Sequence, residues 1–220
     1  MAGAPPTGAG VRIWDLPVRL FHWSIVLLIP ALWWTAENGR MELHLLLGEI
    51  LLGLLLFRLL WGVLGSSTAR FASFVKGPVA VIRYLRGNGP GIGHNPLGAL
   101  SVVAMLLALG VQIGLGLFAS DEDGIYAGPL SHRMPDLESA HELAERHETF
   151  FWVLVALIAL HLLAVLYYLV VKRSNLVAPM VTGRGPAGEA GQAMVPAPWW
   201  RFVLAVALAV GMTLAILKLL

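Results

Sequence analysis

Five stretches of the chain are apolar for long enough to approach the roughly 20 residues that cross a bilayer as helix. They fall near Val18–Thr35, Leu43–Leu64, Pro96–Ala119, Phe150–Val171 and Trp199–Leu219. Polar punctuation separates them. Asp15 with Pro17 suits the N-terminal cap and first turn of the first helix, and Asn95 before Pro96 does the same for the third. Trp14, Trp23, Trp33, Trp34, Trp61, Trp199 and Trp200 sit at or near helix ends, where interfacial aromatic belts form. The segment before the last stretch, Gly183–Pro198, is rich in Gly, Ala and Pro with no apolar period, so the fifth helix reads as an appendage to a core of four.

Composition agrees with the pattern. Of 220 residues, 58% are hydrophobic and 13% charged, with a mean hydropathy of +0.76. A soluble domain carries roughly 25% charged residues, so the bilayer is the solvent that fits. The absence of cysteine excludes disulfides, iron–sulfur clusters, c-type haem attachment and thiol catalysis. Redox chemistry would then need histidine-bound metal, flavin or quinone. The opening MAGAPPTGAG lacks the basic region and apolar run of a cleavable signal, so the first helix is expected to stay in the membrane.

Charge orients the helices. The N-terminus, the loop Gly65–Asn95 and the segment Lys172–Arg201 hold Arg12, Arg19, Arg70, Lys76, Arg83, Arg86, Lys172, Arg173, Arg184 and Arg201, against Asp15 and Glu189. The other side holds Arg40, Arg133, Arg146 and Lys218 against acids concentrated in Asp121–Glu148. Excess Lys and Arg marks the cytoplasmic side, which predicts a cytoplasmic N-terminus and a periplasmic C-terminus.

Of seven histidines, His22, His44, His147 and His161 lie in or at the mouths of the predicted helices. Ionisable groups within a bilayer are costly and carry a functional hypothesis by default. Fourteen residues separate His147 from His161, close to four turns, so both share one helix face roughly 21 Å apart. The alternating helix directions put His147 level with His44 toward the outer side, and His161 level with His22 toward the inner side. Two pairs at two depths suit two bis-histidine b haems in a helix bundle, with both axial positions of each iron filled for electron transfer. Arg58, fourteen residues after His44, and Arg19, one turn before His22, are candidates to pair with haem propionates. Gly48, one turn after His44, would let a flat macrocycle approach the backbone.

Plainer readings exist for each residue. A single histidine near a helix end is commonly interfacial or merely hydrogen-bonded, and Arg58 could snorkel to the interface. Gly110 and Gly114 suit close helix packing. His94, His132 and His141 read as solvated loop residues, and Glu49 as a carboxylate near the interface. The pairing of four histidines by depth and face is what the single-residue readings leave unexplained.

The stretches VRIWDLPVRLFHW, LHLLLGEILLGLLLFRLLWGVLG, GHNPLGAL and RHETFFWVLVALIALHLLAVLYYLVVKR with NLVAPMVTG resemble the prokaryotic cytochrome b561 family, over roughly residues 11–183. The resemblance implies a four-helix diheme core, with His22 and His161 on the cytoplasmic-side haem and His44 and His147 on the periplasmic-side haem. It also implies quinone-linked electron transfer in the bacterial inner membrane, and more distant relatives are cytochrome b subunits of hydrogenases and formate dehydrogenases. The fifth helix and the acidic outer loop depart from the short members of the family.

The expected architecture is therefore an all-α membrane protein. Residues 1–10 form a flexible cytoplasmic start, 11–183 a four-helix haem-binding domain, 184–198 a linker and 199–220 an additional transmembrane helix. The expected function is electron transfer between the quinone pool and a partner redox protein, such as a c-type cytochrome or a dehydrogenase subunit. Nucleic acid is not an expected partner, and a homodimer is left open. The alternatives are a stand-alone quinol oxidase or superoxide:quinone oxidoreductase and, from another class, a haem-free transporter or scaffold.

Overall fold

A computed structural model describes residues 10–75, 96–185 and 193–218, and five of its helices are long and apolar enough to cross a membrane. They are α1 (Leu16–Glu37), α2 (Met41–Leu64), α4 (Pro96–Phe118), α5 (Leu137–Val170) and α7 (Trp199–Lys218). Two short helices, α3 (Phe71–Phe74) and α6 (Val177–Thr182), lie outside the spans. A two-stranded antiparallel ribbon pairs β1 (Val11–Arg12) with β2 (Arg184–Gly185).

The chain's capping chemistry explains where the first span starts. Asp15 caps α1, accepting from the Val18 N–H at 2.8 Å, and Pro17 occupies the first turn, where its missing donor costs nothing. The hairpin to α2 turns at Asn38 and Gly39, and Gly39 adopts a φ of +64°, a conformation that favours glycine. The expected cap at Asn95 lies outside the described residues.

The fourth span differs from its expectation. An apolar run from Phe150 predicts a helix there, but α5 begins thirteen residues earlier, capped by Asp136, which accepts from the Ser139 N–H at 2.8 Å. Hydrogen bonds from Ser139 hold the Asp136 carboxyl below the usual carboxylate range. At 34 residues α5 is about 51 Å long, against a hydrocarbon thickness of about 30 Å, so it projects well beyond the membrane. A hydropathy pattern reports only the buried-in-lipid part of such a helix. His141, expected in a loop, therefore stands on helix.

The helices alternate in direction. The N-terminal strand, the end of α2, the end of α5 and the start of α7 gather on one face, hereafter the N-terminal face. A core of Leu51, Leu55, Ala108, Leu109 and Leu154 joins α2, α4 and α5, and Ile25, Leu28, Ile29 and Leu32 of α1 pack against it. The fifth span adds to that core from one side. It packs along α2 with Ala205 and Ala209 buried, its Phe202 ring against Phe57 and Trp61, and Thr213 against Gly53. Small residues let two backbones approach closely where lipid supplies no hydrophobic drive.

Asp15 ties the N-terminal face together. Besides capping α1 it accepts from the Trp61 indole N–H of α2 at 2.9 Å, and Trp61 is 3% exposed. Thr68 donates to the Ile13 carbonyl at 2.7 Å, and the Met194 N–H donates to the Arg12 carbonyl at 2.8 Å, which ties the approach to α7 onto β1. We expect Asp15→Ala to destabilise the protein by about 1–3 kcal/mol, because it removes a helix cap and orphans a buried indole N–H. Thermal unfolding of the detergent-solubilised full chain checks this, and Asp15→Asn, which keeps the cap and the indole acceptor but not the negative charge, should recover only part of the loss.

Candidate functional site

Each of the four membrane histidines is partly buried on a face turned toward another helix. His44 lies one turn into α2 and His147 a little over ten residues into α5, and their rings meet across the bundle. The ring centres are 6.1 Å apart and the planes are inclined at 83°.

Both rings are held by one nitrogen. His44 Nδ1 bonds the Leu32 carbonyl of α1 at 2.9 Å, with the Thr35 hydroxyl 3.3 Å away. Thr35 is itself 1% exposed and donates to the same carbonyl at 2.8 Å. His147 Nδ1 bonds the Gln112 carbonyl of α4 at 2.9 Å, and the Gln112 side-chain amide donates to the His147 carbonyl at 3.0 Å. A carbonyl partner makes Nδ1 the protonated nitrogen, which leaves the lone pair on Nε2 for a metal.

Space matches this chemistry. A metal–imidazole bond is about 2 Å and each nitrogen stands roughly 1 Å from its ring centre, so two imidazoles on one ion have centres about 6 Å apart. A Cβ built on Gly48 or Gly114 meets nothing within 4 Å, which leaves a flat ligand access beside the helices. Among the described residues no three His, Asp or Glu side chains converge into a metal cluster, so two-histidine coordination is what this arrangement can offer. These residues fit a haem held from both sides.

His22 of α1 and His161 of α5 are the other two membrane histidines, near enough for charge on His161 to act on His22. His22 is flanked by the Trp23 ring, 5.0 Å between centres. Its Nδ1 is buried with no hydrogen-bond partner among the described residues. The two pairs are separated by the leucine-rich core of Leu51, Leu55 and Leu154.

The two arginines make their contacts with the protein. Arg19 bonds the Met180 and Val181 carbonyls, tying α1 to α6, with Trp23 donating to Met180 as well. Gly183, in the left-handed conformation that ends α6, gives Arg19 room, since a Cβ there would stand 2.9 Å from Nη1. Arg58 is 3% exposed; Nη1 reaches the Ala69 carbonyl at 3.4 Å, the guanidinium stacks 4.9 Å over Phe71, and Asp15 acts on it as countercharge. Buried in protein, Arg58 does not snorkel to water.

Of the other sequence candidates, His94 lies outside the described residues. His132 sits on a short turn and accepts from Arg133, and His141 is 3.7 Å from Glu122. Gln112, Thr35 and Gly116 are site residues that the sequence reading passes over. Gln112 carries a usable signal, since α4 has only Ser101 as a second polar side chain. Gly116, one turn beyond it, seats the imidazole, because a Cβ there would stand 2.9 Å from His147 Cε1.

Residues 13–183 match the family described as prokaryotic cytochrome b561. No curated protein and no solved structure gives a significant match to the chain. The matched region spans α1 to α6 and contains all four histidines, and with five apolar helices around it, the chain belongs to the prokaryotic cytochrome b561 family, the multi-pass inner-membrane b-type cytochromes of electron transfer.

Proposed function

We propose that this chain carries electrons across the membrane between the quinone pool and a partner redox protein, through two bis-histidine b haems. His44 and His147 hold one and His22 and His161 the other. The observation that carries the reading is the His44–His147 pair, 6.1 Å between ring centres with each Nδ1 committed to a backbone carbonyl. A haem held by these histidines would supply a reversible one-electron centre.

The chain's own residues perform the remaining tasks. Carbonyls of Leu32 and Gln112 orient the imidazoles, and the intervening leucines exclude water from the space between the two levels. Arg19 and Arg58 are the proposed partners of haem propionates, and both also close the N-terminal face, with Asp15 balancing the charge of Arg58. A shallow groove between α4 and α5 is lined by Leu115, Thr149, Phe150 and Val153 and edged by Glu145 and Arg146.

The orientation proposed is N-terminus cytoplasmic, from the excess of Lys and Arg on that side. The opposite face then presents Glu122, Asp123, Glu138, Glu142, Glu145 and Glu148 to the periplasm, all exposed. A basic partner, such as a c-type cytochrome, would dock there by charge complementarity, faster at low salt. The chain's lack of cysteine allows a direct check of the orientation. A membrane-impermeant thiol reagent added to spheroplasts should label Ser131→Cys and leave Ser73→Cys unlabelled. The reverse pattern inverts the topology.

The purified full chain should show the reduced-minus-oxidised spectrum of low-spin b haem at two haems per chain. His161→Ala should remove one haem and retain the other, with haem-to-protein ratio falling by half. Loss of both haems from a folded variant would break the pairing by depth, and a colourless wild-type protein would support a haem-free role.

Adding quinol to the isolated protein in air separates a carrier from a stand-alone oxidase. The carrier reading expects the haems to become reduced and turnover to stall. Sustained oxygen consumption without a partner would instead make the protein a quinol oxidase.

A further inference from the structure

The two histidine pairs are not equivalent in their hydrogen bonding. At the His44–His147 level both Nδ1 atoms reach backbone carbonyls at 2.9 Å. At the other level His22 Nδ1 is buried with no partner among the described residues. A carbonyl that accepts from the distal nitrogen of a metal-bound imidazole raises the basicity of the ligating nitrogen, and a more basic ligand favours the oxidised metal.

The bond at His147 is built by a helix that supplies no ligand. Two residues of α4 one turn apart, Gln112 and Gly116, form the structure around its ring. The Gln112 carbonyl accepts from Nδ1 while the Gln112 amide donates to the His147 carbonyl, a reciprocal pair that sets the register of α4 against α5 at this level. Gly116 lets the ring reach that carbonyl, since a Cβ would stand 2.9 Å from Cε1 and 3.2 Å from Nδ1. Gly116 contributes the space and Gln112 the hydrogen bonds. The remaining polar atom, Gln112 Oε1, is buried without a partner among the described residues, so the amide serves through its donor.

We propose that Gln112 and Gly116 are positioning residues that seat His147 as a haem ligand and make the His44–His147 site the lower-potential of the two. This inference rests on the haem reading above and concerns how the protein distinguishes two chemically identical cofactors. Electrons would then run downhill from the His44–His147 level to the His22–His161 level.

Redox titration of the purified full chain tests it, followed optically and by the low-temperature ferric spin-resonance signals of the two haems. Wild type should titrate in two waves. Gly116→Ala should move the lower wave upward, narrowing the gap, and alter one of the two low-spin signals while the other stays in place. Gln112→Met, which keeps the length and removes the donor, should shift the same wave in the same direction by less. Gly211→Ala, on α7 with open space beside it, should leave both waves alone.

Selective loss of one haem from Gly116→Ala would equally support the seat, provided Gln112→Met shifts the lower wave. Movement of the upper wave, equal movement of both, or two waves unchanged in both variants would overturn the proposal. So would loss of both haems from both variants, which would make the seat a requirement of the bundle. A wild-type protein without b haem would end the haem reading as well, and so is distinguishable from failure of the seat alone.

Discussion

An imidazole inside a hydrocarbon layer has two ring nitrogens and no water to satisfy either. Leaving a polar group unpaired in such surroundings costs several kcal/mol, so a helix that carries a histidine there constrains its neighbours. Much of this fold follows from meeting that demand twice at one level. His44 of α2 reaches the Leu32 carbonyl of α1, and His147 of α5 reaches the Gln112 carbonyl of α4. Each bond ties a proposed ligand helix to a helix that supplies its partner. The four helices of the core are thereby joined in two pairs, and these bonds use Nδ1 of each ring.

The N-terminal face solves a different problem with the same economy. Arg58 places a guanidinium in an apolar helix, where it needs a countercharge and acceptors. Asp15 provides the charge while capping α1 and holding the Trp61 indole. The Ala69 carbonyl and the Phe71 ring come from the turn that follows α2. One carboxylate therefore serves three groups on two helices, and the loop after α2 is folded back over the buried charge. The ribbon of β1 and β2, and the bonds of Arg19 to α6, close the same face around the level of His22 and His161.

How far all this could be read from residues depends on whether the signal was local. Apolar length marked five helices because crossing a bilayer is a one-dimensional constraint. The Asp15 cap was legible for the same reason, lying within four residues of what it binds. The start of α5 was not, since Leu137–Glu148 is polar helix in water and apolar length is blind to it. Depth and face paired the histidines by counting turns, yet counting cannot show which nitrogen a carbonyl takes. Gln112 and Gly116 escaped because their meaning lies on another helix, 35 and 31 residues away from His147 in sequence. Helix spacing gives the depth of Arg58, while its position among Asp15, Ala69 and Phe71 depends on the loop fold.

The fifth helix shows what a weak sequence signal conceals. A linker of Gly, Ala and Pro suggested an appendage, because such composition says only that the chain between is unstructured in itself. Part of that linker is nonetheless bonded to β1 and to Ser67, through Met194 and Val195, so α7 starts from a fixed place. From there Phe202, Ala205, Ala209 and Thr213 track down α2, on residues that carry no ligand: Trp61, Phe57 and Gly53. A helix that buttresses α2 from behind stiffens the element carrying both His44 and Arg58. In a bundle whose two proposed sites depend on rings held to within a hydrogen bond's length, that stiffness bears on the cofactors without any contact to them.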